Sequence, residues 1–205
     1  MAPPFLEVTD LACRRGGRRV FDHLSFALDA GALLALTGRN GSGKTTLLRA
    51  LALLVRPDAG TIRWRGADSR ADPETWRGQL AWLGHLEGLK GDLSVRENLL
   101  VAERLRGAPA EDRLDAALAA FDLADLAVRP VRTLSTGQRR RVALARVVLT
   151  QAPLWLLDEP LNALDALAQA AFRQVLHNHL AAGGLAIAAT HADLGLPAAR
   201  VLELG

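Results

Sequence analysis

The stretch "GALLALTGRNGSGKTTLLRALALLV", Gly31 to Val55, decides the fold, because a strand, a loop and a helix follow one another in it without a gap. "GALLALTG" reads as a short buried strand running into a glycine loop. "KTTLLRALALLV" is apolar on a helical period and stops before Pro57. Between them, Gly38 to Thr45 satisfies G-x-x-x-x-G-K-[ST] in the strand–loop–helix context that makes this pattern a phosphate-binding loop. Gly38, Gly41 and Gly43 allow backbone angles that turn successive N–H groups inward, and the following helix adds the positive end of its dipole. Lys44 then reaches the β- and γ-phosphates and Thr45 offers its hydroxyl to Mg²⁺. The nucleotide-binding set is Gly38, Arg39, Asn40, Gly41, Ser42, Gly43, Lys44, Thr45 and Thr46.

Upstream of the loop, "FLEV" (Phe5–Val8) and "VFDHLSFAL" (Val20–Leu28), joined through "RRGGRR", predict an antiparallel hairpin. Downstream, "GTIRWRG" (Gly60–Gly66) and "QLAWLGH" (Gln79–His85) read as strands. From about Leu86 to Val148 the pattern becomes helical. "SVRENLLVAERLRG" opens with Ser94 as N-cap and Glu97 three residues on, a capping box, and "AEDRLDAALAAFDL" sets Leu114, Leu118 and Phe121 on one face. "PLWLLDEP" and "GLAIAATH" are again strands, with a helix over 163–181 between them. A mixed strand–helix core is therefore interrupted by a helical lobe and then resumed.

The chain has 205 residues, 50% hydrophobic, which suits one domain with an inserted lobe. Its formal charge of +3, from 25 basic and 22 acidic side chains, is too balanced for a whole-surface nucleic-acid binder. The single cysteine, Cys13, excludes an internal disulfide and reads as a small packing residue, consistent with a reducing compartment. "MAPPFLEVTD" lacks the start of a signal peptide, and no window approaches ~18 uninterrupted apolar residues. Membrane work is expected to go through a partner.

A second half of a hydrolytic site stands in "LWLLDE", where an apolar strand delivers two carboxylates at its polar end. Asp158 is placed to orient the Mg²⁺ shell, and Glu159 to polarise or deprotonate an attacking water. "LSTGQRRR", Leu134 to Arg141, carries too little side-chain mass to be a core element before its arginines open a helix. Those arginines fan over ~200° of the helix surface and are expected on a solvated or interfacial face.

These residues together resemble the ATP-binding subunits of ABC transporters, over essentially the whole chain. "LSTGQ" (Leu134, Ser135, Thr136, Gly137, Gln138) is similar to the family's signature loop, with Thr136 where Gly is usual; Asn162, Ala163, Leu164 and Asp165 resemble the D-loop, with Asn162 in place of Ser; His191 matches the switch histidine. The resemblance implies an α/β fold with a P-loop NTPase (RecA-like) core at 1–85 and 150–205, an antiparallel β subdomain, and an inserted α-helical signature subdomain at about 86–149. It implies ATP and Mg²⁺ as cofactors and Glu159, His191 and His85 as catalytic residues. It also implies a head-to-tail homodimer in which Ser135 and the N–H groups around Gly137 contact the γ-phosphate held by the other chain. This explains a loop with so little mass.

Two positions depart from the family. The aromatic that usually stacks on adenine is missing from "CRRGG", and the chain has no Tyr, leaving Arg14 or Arg15 to stack by its guanidinium plane. His85 occupies the Q-loop glutamine position; neutral His offers one acceptor and one donor on a rigid ring, and protonation removes the acceptor. It is expected to couple the nucleotide to a groove over Leu86–Asn98 where a membrane subunit docks. "GHLEGLK" and "LSVRENL" are similar to the subfamily serving bacterial haem export in cytochrome c maturation. That implies membrane partners CcmB, CcmC and CcmD, release of the chaperone CcmE, a peripheral place on the cytoplasmic face of the inner membrane, and no nucleic acid. Alternatives are a lipoprotein-release or other small-solute transporter, a two-domain ribosome-associated factor, and a DNA-repair-type ATPase, which would insert long heptad coils that are missing here. His177 and His179, ~200° apart on a helix, are expected at the surface rather than in a haem site.

Overall fold

The computed structural model describes residues 5–105, 111–196 and 200–205. In chain order its elements begin with β1 (Leu6–Arg15), β2 (Arg18–Leu28), β3 (Leu33–Thr37), α1 (Lys44–Leu51), β4 (Ala59–Trp64), β5 (Ala67–Asp68), α2 (Pro73–Gly78) and β6 (Leu80–Leu83). The helical segment holds α3 (Val95–Leu105), α4 (Glu111–Ala120) and α5 (Thr136–Leu149), followed by β7 (Leu154–Asp158), α6 (Ala166–Ala181), β8 (Leu185–Ala189) and β9 (Arg200–Glu203). The expected ends of two helical runs, at Arg106, Gly107 and Ala110, lie outside the described residues.

An antiparallel sheet has the order β2-β1-β4-β5, and a parallel sheet the order β6-β7-β8-β3-β9. The hairpin strands run through both arginine pairs to a two-residue turn at Gly16 and Gly17, whose φ angles of 56° and 77° suit the right-handed twist of the strands. The central parallel strands β7 and β8 are buried on both faces, so their residues alternate between two cores. Leu154, Leu156, Leu185 and Ile187 face α1 and the antiparallel sheet. Trp155, Leu157, Ala186 and Ala188 face the helical side, with Leu114, Leu118, Phe121 and Leu144. The α/β class with an antiparallel subdomain is thus as expected.

The differences have local causes. Helix α1 stops at Leu51, four residues before its apolar pattern does: Leu53 turns to φ 53°, and the Trp76 indole N–H caps the Leu51 carbonyl at 2.9 Å. The sequence reading missed β5, α2 and β9, which have only two, six and four residues. The arginine trio, expected on a solvated or interfacial face, is divided, and its middle member lies inside the protein. Arg140 is 4% exposed, and Arg141 donates to the carbonyls of Phe121 (3.0 Å) and Asp122 (3.2 Å). His177 is exposed, but His179 stacks on Trp155 with ring centroids 3.9 Å apart and planes 10° off parallel. Its Nε2 lies 3.1 Å from the Leu185 carbonyl, which can only accept, so Nε2 carries the proton.

Burial pushes the His179 pKa down from 6.5, against the Leu185 bond, which raises it. The unfolded chain therefore binds this proton more readily than the folded one. The contribution to stability is complete above pH 6.5 and is lost as pH falls from there through the lower folded-state value. His179→Phe keeps the stack and removes the titration. Urea midpoints measured from about pH 8 to 5 should fall less for the variant than for the wild type on the acid side.

Candidate nucleotide site

The central strands of the parallel sheet end on one side of the molecule, and their C-terminal ends build the site. After β3 the loop turns through Gly38 (φ 128°), Gly41 (84°) and Gly43 (104°). A Cβ on Gly38 would stand 2.1 Å from the Leu204 carbonyl oxygen, and one on Gly43 2.5 Å from Val20 Cγ1, so both close approaches require glycine. The loop wraps its own lysine: Lys44 Nζ donates to the carbonyls of Gly38 (2.7 Å) and Arg39 (3.1 Å). The Ser42 N–H bonds the Arg39 carbonyl at 3.1 Å and tightens the turn.

Across β8, β7 ends in Asp158, only 5% exposed, whose Oδ2 accepts from Thr45 Oγ1 at 2.9 Å. Glu159 follows at φ 49°, its N–H fixed to the Ala189 carbonyl at 2.8 Å. The His191 Nε2 lies 3.8 Å from Glu159 Oε1. Lys44, Thr45, Thr46, Asp158, Glu159 and the exposed His85 line a cleft of about 540 Å³, closed on the other side by Arg15 and Val20 of the hairpin. That volume lies within the range of small-ligand sites. Arg14 does not line this cleft; its backbone N–H is bonded to Asp58 Oδ2 at 2.6 Å. His191 does not line this cleft; it opens onto a neighbouring one of about 340 Å³ with Thr37 and Thr190.

The residues of "LSTGQ" and of Asn162–Asp165 do not line the cleft either; they lie against each other. A Cβ on Gly137 would stand 2.8 Å from the Ala163 carbonyl oxygen. Ser135 caps α5: its Oγ accepts from the Gln138 N–H at 3.2 Å, while Gln138 Oε1 accepts from the Ser135 N–H at 2.9 Å. Gln138 is thereby committed to its own helix. Ser135 and Thr136 are exposed, and the Thr136 and Gly137 N–H groups lie in the first turn of α5, ahead of its intrahelical bonds. Asp165 caps α6 through the Ala168 N–H at 2.8 Å, and the Asn162 N–H returns to the Glu159 carbonyl at 3.2 Å.

Sequence reading missed Arg140. Its Nη atoms donate to the carbonyls of Gly84 (2.9 Å), Asp158 (2.7 Å) and Glu159 (2.5 Å), inside the protein. Burial lowers its pKa, against the nearby Glu87, Asp158 and Glu159, which raise it. The available signal was its phase: Arg140, Leu144 and Val147 are all buried, so this arginine lies on the core stripe of α5. Arg146, further along α5, donates to the carbonyls of Glu87 (2.6 Å) and Gly88 (3.0 Å).

The ABC transporter family model matches residues 21–162. Cytochrome c biogenesis ATP-binding export protein CcmA of Rhodospirillum rubrum is 48% identical over 203 residues, covering 99% of this chain and 87% of the relative. The protein of the same name from Cupriavidus necator is 50% identical over 202 residues, covering 98% and 88%. The chain belongs to the ABC transporter family, in its CcmA branch. It is therefore an ATP-binding subunit whose hydrolysis of ATP is coupled to transport. A solved ATP-binding subunit of an ABC transporter superposes with a TM-score of 0.89 at 28% identity, covering 98% of this chain and 85% of the other. A putative ABC transporter ATP-binding protein from Pyrococcus furiosus, 24% identical, has the same fold with a TM-score of 0.83, covering 97% and 96%.

Gly38→Ala should destabilise the fold by about 1–3 kcal/mol from backbone conformation alone, with the clash against Leu204 adding to it. Denaturant unfolding of the nucleotide-free protein measures this. Gly41→Ala, at a position with open space around its Cβ, carries only the conformational part.

Proposed function

We propose that this chain is the ATP-hydrolysing subunit of a haem-export or haem-chaperone-release complex of c-type cytochrome biogenesis, working as a head-to-tail homodimer on membrane subunits of the CcmB, CcmC and CcmD kind. The observation that carries the chemistry is the Thr45–Asp158 hydrogen bond at 2.9 Å, which brings the phosphate loop and the carboxylate strand to one point beside Glu159. Those two oxygen donors suit Mg²⁺, which prefers one or two protein oxygens with the rest of its shell from phosphate and water. When bound, the ion neutralises charge on the β- and γ-phosphates. Among the described residues no group of three His, Cys, Asp or Glu side chains could hold a metal ion.

ATP enters with its phosphates on the Gly38–Thr46 loop and Lys44 on the β- and γ-oxygens; the adenine lies towards Arg15 and Val20. Glu159 takes a proton from water as the water oxygen bonds to the γ-phosphorus and the bond to the β–γ bridging oxygen breaks, releasing ADP. His191, 3.8 Å from Glu159 Oε1, orients this carboxylate or the γ-phosphate, and His85 watches the same space from the end of β6. Ser135, Thr136 and Gly137 face the γ-phosphate of the second chain, and Asn162–Asp165 link that interface to Glu159. The core of 1–85 and 150–205 thus holds the nucleotide, and 86–149 presents the signature and the Leu86–Asn98 groove for the membrane subunit. The subunit sits peripherally on the cytoplasmic face, joined to its membrane partners; no helix among the described residues is long and apolar enough to cross a membrane.

Lys44→Ala should abolish tight ATP binding, while Glu159→Gln should keep it, lower kcat on the order of 10²-fold or more, and elute as an ATP-stabilised dimer in size exclusion. Wild-type hydrolysis by Glu159→Gln would remove Glu159 from the mechanism. In cells, Lys44→Ala should abolish c-type cytochrome maturation, and the wild type should copurify from membranes with the partner subunits.

The shared site has its own test. Ser135→Arg should bind ATP as a monomer within about twofold of wild type and yet not hydrolyse it, since the added bulk blocks closure of the dimer and leaves the local cradle intact. A loss of monomer affinity as large as that of Lys44→Ala would place Ser135 in the same chain's cradle.

A further inference from the structure

Arg140 is buried at 4% exposure, and among the described residues no carboxylate lies within ion-pairing distance of it; its Nη donors go to three main-chain carbonyls. A charge buried in this way disfavours folding unless it is well solvated by the protein, so packing alone does not account for it. The three carbonyls define what it does. Gly84 is the last residue before His85, Asp158 ends β7, and Glu159 carries the carboxylate assigned above to the attacking water. Glu159 sits at φ 49°, a conformation that a non-glycine residue holds only when its surroundings fix it. Its N–H is tied to Ala189 at 2.8 Å; its carbonyl is tied to Arg140 and to the Asn162 N–H at 3.2 Å. Arg140 is the one side chain among these ties, and it comes from the helical lobe.

The same helix carries Ser135 at its N-cap, five residues earlier and about 140° around the axis. One end of α5 thus carries the residues proposed above to meet the other chain's nucleotide, while its second turn holds the main-chain carbonyl of this chain's own Glu159. Building on the ATPase role proposed for Glu159, we infer that Arg140 is a positioning residue that locks Glu159 and the Gly84–His85 corner in their working places whenever α5 is docked. Any movement of α5 caused by nucleotide at its N-terminus is delivered to the catalytic carboxylate of its own subunit. Nucleotide in one site of the dimer is thereby felt at the base of the other.

The test uses full-length Arg140→Met and Arg140→Gln, each alone and in the Glu159→Gln background, with ATP affinity, saturating and single-turnover hydrolysis, and thermal melting measured on all. Arg140→Met should bind ATP within about twofold of wild type. Its kcat should fall on the order of 10- to 100-fold, as expected when a base is displaced and the substrate site is not. Arg140→Gln, whose amide still donates to a carbonyl, should fall between the two at a similar melting temperature. If Arg140→Met does not fold, the comparison of Arg140→Gln with wild type decides in the same way. Because Arg140 acts through Glu159, adding Arg140→Met to Glu159→Gln should change the residual single-turnover rate by less than about twofold. A general structural defect would instead multiply the two losses. Unchanged kcat in both Arg140 variants, or fully multiplicative losses, overturns the positioning role. Wild-type hydrolysis by Glu159→Gln alone would overturn the underlying assignment of the base and would be recognised separately.

Discussion

The hydrogen bond from Thr45 to Asp158 joins residues 113 positions apart, and the rest of the site depends on it. It exists because β8 lies between β3 and β7 in a parallel sheet. Three neighbouring strands then finish on the same side: β3 leading into the glycine loop, β7 into Asp158 and Glu159, and β8 into Thr190 and His191. Ligands of open parallel sheets bind outside the carboxyl ends of the strands for this reason. The apolar runs of β7 and β8 put both ends of the site on a rigid support, since their residues are buried on both faces and cannot slip by one register without exchanging cores.

Rigidity at Thr45 and Asp158 contrasts with the construction of the neighbouring carboxylate. Glu159 stands one residue past the strand, at a positive φ, and every tie on its backbone comes from another element: Ala189 of β8, Asn162 of the following turn, and Arg140 of α5. The side-chain oxygens of Thr45 and Asp158 meet within the core, whereas the main chain of both Asp158 and Glu159 is tied to the helical lobe through Arg140. With Glu159 as the proposed base, its placement requires the lobe to be docked.

Legibility in the sequence followed the range of the interactions. The phosphate loop was readable because its glycines and Lys44 act within eight consecutive residues, and Lys44 is held by the carbonyls of Gly38 and Arg39 in the same loop. The Asp158–Glu159 pair was readable because an apolar run that ends in two acids has few other uses. The capping box of Ser94 and Glu97 was readable for the same local reason, and its bonds of 2.7 and 3.2 Å are in place. His179 was misread because its partner, Trp155, lies on a strand 24 positions away, and an alanine-rich helix gives little sign of which face is covered. In "RRR" three identical side chains have three different surroundings, and only the phase of α5 against the core separates Arg140 from its neighbours. β9 went unread because an edge strand of four residues has no pattern of its own until β3 pairs with it.

The arginines of α5 share a further property, which bears on the unusual His85. Arg140, Arg141 and Arg146 all donate chiefly to main-chain carbonyls, of Gly84, Asp158 and Glu159, of Phe121 and Asp122, and of Glu87 and Gly88. A carbonyl is present whatever the side chain, so these bonds do not depend on which side chain the receiving residue carries. The corner that carries His85 is held from both sides in this way, by Arg140 at Gly84 and by Arg146 at Glu87 and Gly88. Its backbone path does not depend on the residue at 85. A ring can replace a longer amide there without disturbing the junction between the two lobes. What changes is only the chemistry offered to the cleft: one acceptor and one donor held by an imidazole, of which protonation removes the acceptor.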